Sequence, residues 1–368
     1  MTTQQRYLAL DVFRGLTIAT MITVNNPGSW SHIYAPLKHS AWHGCTPTDL
    51  VFPFFLFIVG VSAFFSFKKY ETKLNGSSFL KILKRSALIF LIGLFLNSFP
   101  QWQTDWSKLR LLGVLQRIAL AYFFGSLIVL ASKRKYLPWI SLAVLFLYWG
   151  ILWLFGGEDP YSLAGNIAPK VDAFIVGESH LYKGFGLVFD PEGVLSTIPA
   201  IVTVIIGYFA GGVISETEKQ KVPLRMIVYG AVLTAAGLIW SLVFPLNKPL
   251  WTSSYVLYTA GLAFAFMAAF IWIIDLKGYT QWTSPLVVFG MNPLFIFALS
   301  GIWARFLTRI IKIHDGDNVI NGYNWLYQNV FQPFAGDING SLLFALTHII
   351  FYWFICWVMW KKRIFIKV

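Results

Sequence analysis

Charge is scarce in this chain of 368 residues: acids and bases make up 12% of it, against 57% hydrophobic residues. A soluble globule of that size needs more polar surface than this, so the composition excludes one and makes the chain an integral membrane protein. Acids are scarcer than bases, 16 Asp and Glu to 29 Lys and Arg, and the net charge is +13. Such a balance can mark a nucleic-acid binder. Here the cations fall at the ends of apolar runs, where topology accounts for them, so no nucleic-acid partner is expected. Cysteine is nearly absent. Cys45 lies in a polar loop and Cys356 near the far end of the last apolar run, so a disulfide would have to bridge most of a bilayer and is not expected. No fixed-period repeat and no inverted pair of similar halves is evident, which weighs against a repeat-built transporter. The first apolar run contains Asp11 and Arg14 and lacks a small-residue cleavage site, so it reads as a retained helix rather than a signal peptide.

What the chain does have is apolar runs of spanning length, at about 7–24, 50–67, 80–98, 111–131, 137–155, 194–214, 224–244, 253–274, 285–303 and 342–360. Backbone groups in lipid must be satisfied internally, and a β-barrel shows shorter, alternating segments. The expected fold is therefore all-α: a polytopic bundle of about ten transmembrane helices forming one domain over residues 1–368, with two longer external loops. Basic residues follow the even-numbered spans: Lys68, Lys69, Lys73, Lys81, Lys84 and Arg85, then Lys133, Arg134 and Lys135, then Lys219, Lys221 and Arg225, and finally Lys361, Lys362 and Arg363. Acids collect in the opposite loops, at Asp105, Glu158, Asp159, Asp172, Glu178, Asp190, Glu192, Asp315, Asp317 and Asp337. By the positive-inside rule both termini are cytoplasmic and the acidic loops lie outside. The long loops, 156–193 and 304–340, are expected to contain small helices and to roof an outer cavity. In the second, residues 323–334 look interfacial, with Trp325 and Tyr327 at headgroup level.

Chemistry is concentrated in residues 25–55, NNPGSWSHIYAPLKHSAWHGCTPTDLVFPFF, a polar and aromatic loop between the first two spans. It holds three of the six histidines, His32, His39 and His43, and imidazole is the side chain best poised to move protons near neutral pH. His39 and His43 have the i, i+4 spacing of a zinc pair if helical, but HSAWH lacks the glutamate of a metallohydrolase, so no metal is expected. Within the spans, Asp11 and Arg14 are three residues apart and can pair on one helical face. Arg14 lies roughly 10 Å from the cytoplasmic end of its helix. Arg117 is a buried cation, either neutralised by an acid such as Asp49 or in contact with a ligand. Asn292 precedes Pro293 and marks a break in the ninth helix, where freed backbone lines a cavity or merely accommodates a packing kink.

The string KHSAWHGCTPTDLVFPFFLFIVGVS at 38–62, preceded by LDVFRG and VN, resembles the catalytic domain of heparan-α-glucosaminide N-acetyltransferase and its bacterial transmembrane acyltransferase relatives. LGVLQR at 112–117, VDAFIVGESHLY at 171–182, FDPEGVLSTIPAI at 189–201, NKPLWTSSYVL at 247–257 and GMNPL at 290–294 continue the likeness in the same order. The resemblance implies a multi-pass protein of the bacterial inner membrane, in a minimal form without the eukaryotic N-terminal domain. It also implies acetyl transfer from cytosolic acetyl-CoA to a glucosamine amine on the far side. His39 then matches the active-site histidine and Asn25 the neighbouring asparagine, with Arg14, Arg117 and Asn292 as the polar groups along the CoA path. Asp49, His180, Asp190, Glu192, Trp251 and Ser254 are the candidate acceptor-binding residues. The acceptor is an amino sugar or glycan; membrane lipid and a homodimeric partner complete the expected contacts. Chemistry agrees, since the ammonium must lose a proton before its nitrogen attacks a thioester, and neutral imidazole is a suitable base. His39 acting instead as a nucleophile is an equally open route. A polysaccharide O-acyltransferase and a transporter or flippase are the alternatives. Accessibility labelling tests the topology: a tag at Lys73 should report from the cytoplasm and one near Glu178 from outside, whereas both on one side would overturn the arrangement.

Overall fold

The computed structural model describes residues 7–68, 73–315 and 318–366; Lys69, Asp317 and the chain ends lie outside this range. The first half comprises α1 (Leu8–Asn25), α2 (Val51–Phe67), α3 (Gly76–Ser98), α4 (Val114–Ala131), α5 (Leu137–Phe155), the short α6 (Ala168–Val176) and α7 (Val194–Glu216). Then come α8 (Val222–Trp240), α9 (Ser253–Phe270), α10 (Ser284–Met291) and α11 (Pro293–Arg305). A hairpin of β1 (Lys312–Asp315) and β2 (Asn318–Asn321), with Lys312 opposite Asn321, leads to α12 (Gly322–Leu326), α13 (Gln332–Ala335) and the long α14 (Asp337–Lys361).

Among the described residues, nine helices are long and apolar enough to cross a membrane. The chain is a multi-pass, all-α membrane protein. The tenth expected span is α3, a 23-residue helix whose Lys81, Lys84 and Arg85 make it more charged than an ordinary span. Its N-terminus is capped by Asn75, whose side chain accepts the Ser78 N–H while Ser78 returns a bond to the Asn75 N–H. The ninth expected span breaks at Asn292, between α10 and α11, where Pro293 has no N–H to continue the ladder. Helix α7 is central, with 78% of its span buried, while α5 and α8, at 28% and 22%, form the periphery.

Small residues set the helix spacing. A Cβ on Gly60 would lie 2.1 Å from the Val204 carbonyl, and one on Gly207 2.1 Å from that of Phe57, so α2 and α7 touch backbone to backbone. Helices α1 and α10 meet likewise, Gly15 against Leu286 and Gly290 against Asp11. Without a hydrophobic force between helices in lipid, such close approach is what dispersion requires. These two crossings fix α2 against α7 and α1 against α10, and α1, α2 and α10 border the cavities described below.

The basic loops share one end of the bundle. There the Asp275 carboxylate accepts the Leu8 and Ala9 N–H groups, both at 3.1 Å, capping α1, which has no cap of its own. Tyr7 donates to the Ile214 carbonyl, and Lys68 to Ser215. At the opposite end, loop 26–50 meets the long loops: Trp42 donates to the Tyr161 carbonyl and Tyr323 to that of Pro27. Both long loops contain the short helices expected of them. Within the aromatic segment Tyr327 departs from its expected place, being buried and donating to the Asp337 carbonyl, while Trp325 is half-buried and Phe334 exposed.

Candidate active site

The site begins with a short turn. Thr46, Pro47 and Asp49 open a 3₁₀ turn, Pro47–Leu50, ahead of α2. Proline suits the first turn because its missing N–H has no partner there. Asp49 reaches back so that its Oδ2 accepts the N–H groups of Thr46 and Ser40, each at 3.0 Å. Thr46 Oγ1 donates to the Lys38 carbonyl and Thr48 Oγ1 to that of Pro36, pinning the incoming strand against the turn. His39 is therefore delivered beside Asp49, with Nδ1 2.6 Å from Oδ1. A carboxylate so placed accepts a hydrogen bond from Nδ1–H, which keeps the proton on Nδ1 and leaves Nε2 as the free nitrogen. Segment 38–44 is irregular rather than helical, so His39 and His43 do not share a helical face; His43 Nδ1 instead faces Asn247 at 3.4 Å.

Lys248 completes the group. Its Nζ lies 3.5 Å from Asp49 Oδ1 and 3.1 Å from His39 Nδ1. Burial pulls the Lys248 ammonium below the usual lysine range, although Asp49 opposes this. Nearby, burial pushes the Cys45 thiol up to about 12, so it is no competing nucleophile.

His39, Lys248, Asn25, Thr48 and Glu192 line one cavity of about 140 Å³, whose remaining walls are apolar. A second cavity, about 370 Å³, is lined by Arg14, Arg85, Ser62 and Tyr122. Arg14 bonds Asp11 at 3.2 Å, as its spacing implied, and also reaches Ser62 at 2.8 Å and the Gly290 carbonyl at 3.3 Å. The two cavities share Phe55, Ile118 and Leu294 as wall residues. They therefore meet at one apolar wall, with Arg14 and Arg85 bordering one cavity and His39 the other.

The other expected site residues stand behind these walls. Arg117 is fully buried, stacks over Trp251 at 5.1 Å and donates to Ser196 and, at 3.3 Å, to the Gly193 carbonyl. It lines neither cavity, and Asp49, whose oxygens are taken by His39, Lys248 and backbone, is not its partner. Trp251 and Ser254 are buried, Trp251 donating to Thr203 and Ser254 to the Phe244 carbonyl. His180 is spent stapling loops together, with Nδ1 2.7 Å from the Leu109 carbonyl. Asp190 receives a bidentate bond from Arg110, at 2.9 and 2.6 Å, and Glu192 a further one at 2.5 Å. Of that acidic pair only Glu192 reaches the cavity. Asn292 spends its amide on the C-terminal segment, donating to the Ile364 carbonyl and accepting from the Ile366 N–H. Of the two long loops, the first supplies a lining residue, Glu192, while the second braces the end of α1.

A family model described as "Heparan-alpha-glucosaminide N-acetyltransferase, catalytic" matches residues 6–244. The chain belongs to this family. The Homo sapiens and Mus musculus proteins named heparan-alpha-glucosaminide N-acetyltransferase are each 26% identical to it over 99% of its length. The chain spans 60% of the length of each. The matched region contains α1 to α8, with the His39–Asp49 pair and Arg14; Lys248 and Asn292 follow it.

The sequence does not single out Lys248 and Arg110, because Lys38, Lys108, Lys170 and Lys183 also lie on the side where acids collect; only their tertiary contacts distinguish these two. Removing Arg110 leaves Asp190 buried and unpaired. Arg110→Ala should therefore lower the unfolding free energy by about 3–5 kcal/mol in a detergent melt, while Lys108→Ala, which removes an exposed partner of Asp105, should leave the melt unchanged.

Proposed function

We propose that the chain is an acetyl-CoA-dependent amino-sugar N-acetyltransferase that takes its donor from the basic, cytoplasmic side and acetylates a glucosamine-type acceptor at the opposite, external face. The observation carrying this reading is the pair of abutting cavities, one lined by Arg14 and Arg85 and one by His39, whose ring Asp49 holds from behind the wall. The cationic cavity suits the donor: Arg14 and Arg85 offer guanidinium groups for phosphates, and its apolar walls suit a pantetheine arm. When bound, acetyl-CoA supplies an acyl carbon activated by a thiol leaving group.

His39 Nε2 accepts the proton that the acceptor amine must shed, and Asp49, bonded to Nδ1, holds the ring in the tautomer that leaves Nε2 free. The acyl carbon passes from sulfur to nitrogen, and the proton finally leaves with the CoA thiol. Lys248 shares Asp49 with the ring and so balances the carboxylate's charge. Asn25, exposed in the same cavity, is placed to donate to the developing oxyanion, a contribution of about 3–4 kcal/mol in other acyl-transfer enzymes. Glu192 offers a carboxylate to the acceptor's ammonium, which favours an amine over a hydroxyl acceptor. Incubation with labelled acetyl-CoA and either glucosamine or N-acetylglucosamine tests the reading: label should enter glucosamine alone, and equal labelling would favour O-acylation.

His39→Ala should reduce transfer by about 10²–10⁴-fold while the protein stays folded and still gains thermal stability from CoA, with His32→Ala and His43→Ala much milder. Retained turnover above a few per cent would remove His39 from the central role. The two intramembrane arginines should separate in melting experiments. Arg14→Ala should shrink the CoA-induced shift and, because it removes the ion-pair partner of buried Asp11, also lower the apo midpoint, whereas Arg117→Ala should lower the apo midpoint and leave the shift intact. The reverse pattern would move the donor path to Arg117.

A further inference from the structure

The wall common to the two cavities has a composition unlike that of either. Phe55 comes from α2, Ile118 from α4 and Leu294 from α11, so three separate helices each supply one apolar side chain. Polar groups stand on both sides: Arg14, Arg85 and Ser62 on one, Asn25, His39, Glu192 and Lys248 on the other. None of the three shared residues can hydrogen-bond through its side chain. Ile118 is 4% exposed, and Phe55 and Leu294 are half-buried. Their backbones are also held. Leu294 follows the Asn292–Pro293 break, which the C-terminal segment fastens through Asn292, and Phe55 lies on α2, locked to α7 by the Gly60 and Gly207 contacts.

We propose that Phe55, Ile118 and Leu294 form an apolar collar that selects the acyl group by size, passing a two-carbon acyl group toward His39 and rejecting longer chains. The inference rests on the acyl-CoA reading above and adds to it the residues that set donor specificity. An apolar constriction at membrane depth disfavours passage of phosphates or hydrated ions, because desolvated charge finds no partner there. The CoA phosphates accordingly stay on the side of Arg14 and Arg85, and only the acyl end enters. Packing held by three helices resists deformation, so each added methylene must displace a wall side chain. A well-fitted apolar site separates ligands differing by one methylene about 10–200-fold.

The test uses the full-length protein in lipid nanodiscs with acetyl-, propionyl- and butyryl-CoA and glucosamine as acceptor. The wild type should prefer acetyl-CoA. Ile118→Ala and Leu294→Ala should each raise the butyryl-to-acetyl ratio of kcat/KM by about 10-fold or more. A second readout does not depend on turnover: S-ethyl-CoA and S-butyl-CoA, which carry no transferable acyl group, are compared by the melting shift each produces. In the wild type the ethyl analogue should give the larger shift, and in the alanine variants the two shifts should converge. Ile118→Val serves as the conservative variant should alanine lower the apo midpoint, with a smaller change in the same direction expected. Unchanged ratios in both readouts, in folded variants that still transfer acetyl, would overturn the collar and leave the acyltransferase reading standing. A wild type that neither binds CoA nor transfers acetyl from it would overturn both.

Discussion

The Asp49 carboxylate is the contact on which the site depends. One oxygen collects the N–H groups of Ser40 and Thr46, closing loop 38–49 on itself; the other holds His39 Nδ1 and faces Lys248. The same side chain therefore starts α2, fixes the loop that carries the histidine and orients the ring. Its own backbone is fixed from beneath, because Tyr255 of α9 donates to the Asp49 carbonyl at 2.5 Å. A residue with that many obligations cannot be altered without moving several partners. A buried carboxylate also demands that its donors be present, since an unpaired charge there costs several kcal/mol, about 3–5 by analogy with broken buried pairs. Local folding and site geometry are thus one constraint.

A second constraint comes from the bilayer. Polar groups at membrane depth need either a partner or water, so a route across the bundle must be built from paired charges and apolar walls. The two routes to satisfaction are visible in Arg14 and Arg117. Arg14 is held by Asp11, Ser62 and the Gly290 carbonyl and still borders a cavity. Arg117 is enclosed by Trp251, Ser196 and Gly193 and borders none. Equal residue types in neighbouring spans have opposite surroundings, because one faces the space between α1, α2 and α10 and the other faces α7.

Much of the fold was legible because hydropathy reports spans directly: every expected run became a helix, the ninth with the break that Asn292 and Pro293 announced. The histidine was legible too, through its place in a polar loop between two spans and the string around it. Contacts that depend on tertiary meetings were not. Lys248 lies 209 residues from His39, and nothing in periodicity brings them together. Asp190 and Glu192 are two residues apart and both bond Arg110, yet Asp190 is enclosed while Glu192 also faces the cavity; only the backbone turn before α7 distinguishes them. Trp251 and Ser254 look functional because they are polar or aromatic within family strings, but their side-chain donors are bonded to Thr203 and the Phe244 carbonyl inside the bundle, and His180 lines neither cavity. A motif thus identifies residues that the architecture needs, and geometry separates the supporting ones from those with a free face.

That distinction orders the whole site. Three of the groups that border the His39 cavity each retain something to offer: Nε2 on His39, an exposed amide on Asn25 and a carboxylate oxygen on Glu192. Those behind them are committed: Arg110 to two carboxylates, Asn292 to the C-terminal segment, Asp49 to four donors. In the proposed reaction the proton moves at the interface between these shells, at a ring whose inner nitrogen is bound and whose outer one is not. Since a single hydrogen bond decides which nitrogen that is, the direction in which His39 can act follows from the turn that placed Asp49 at the head of α2.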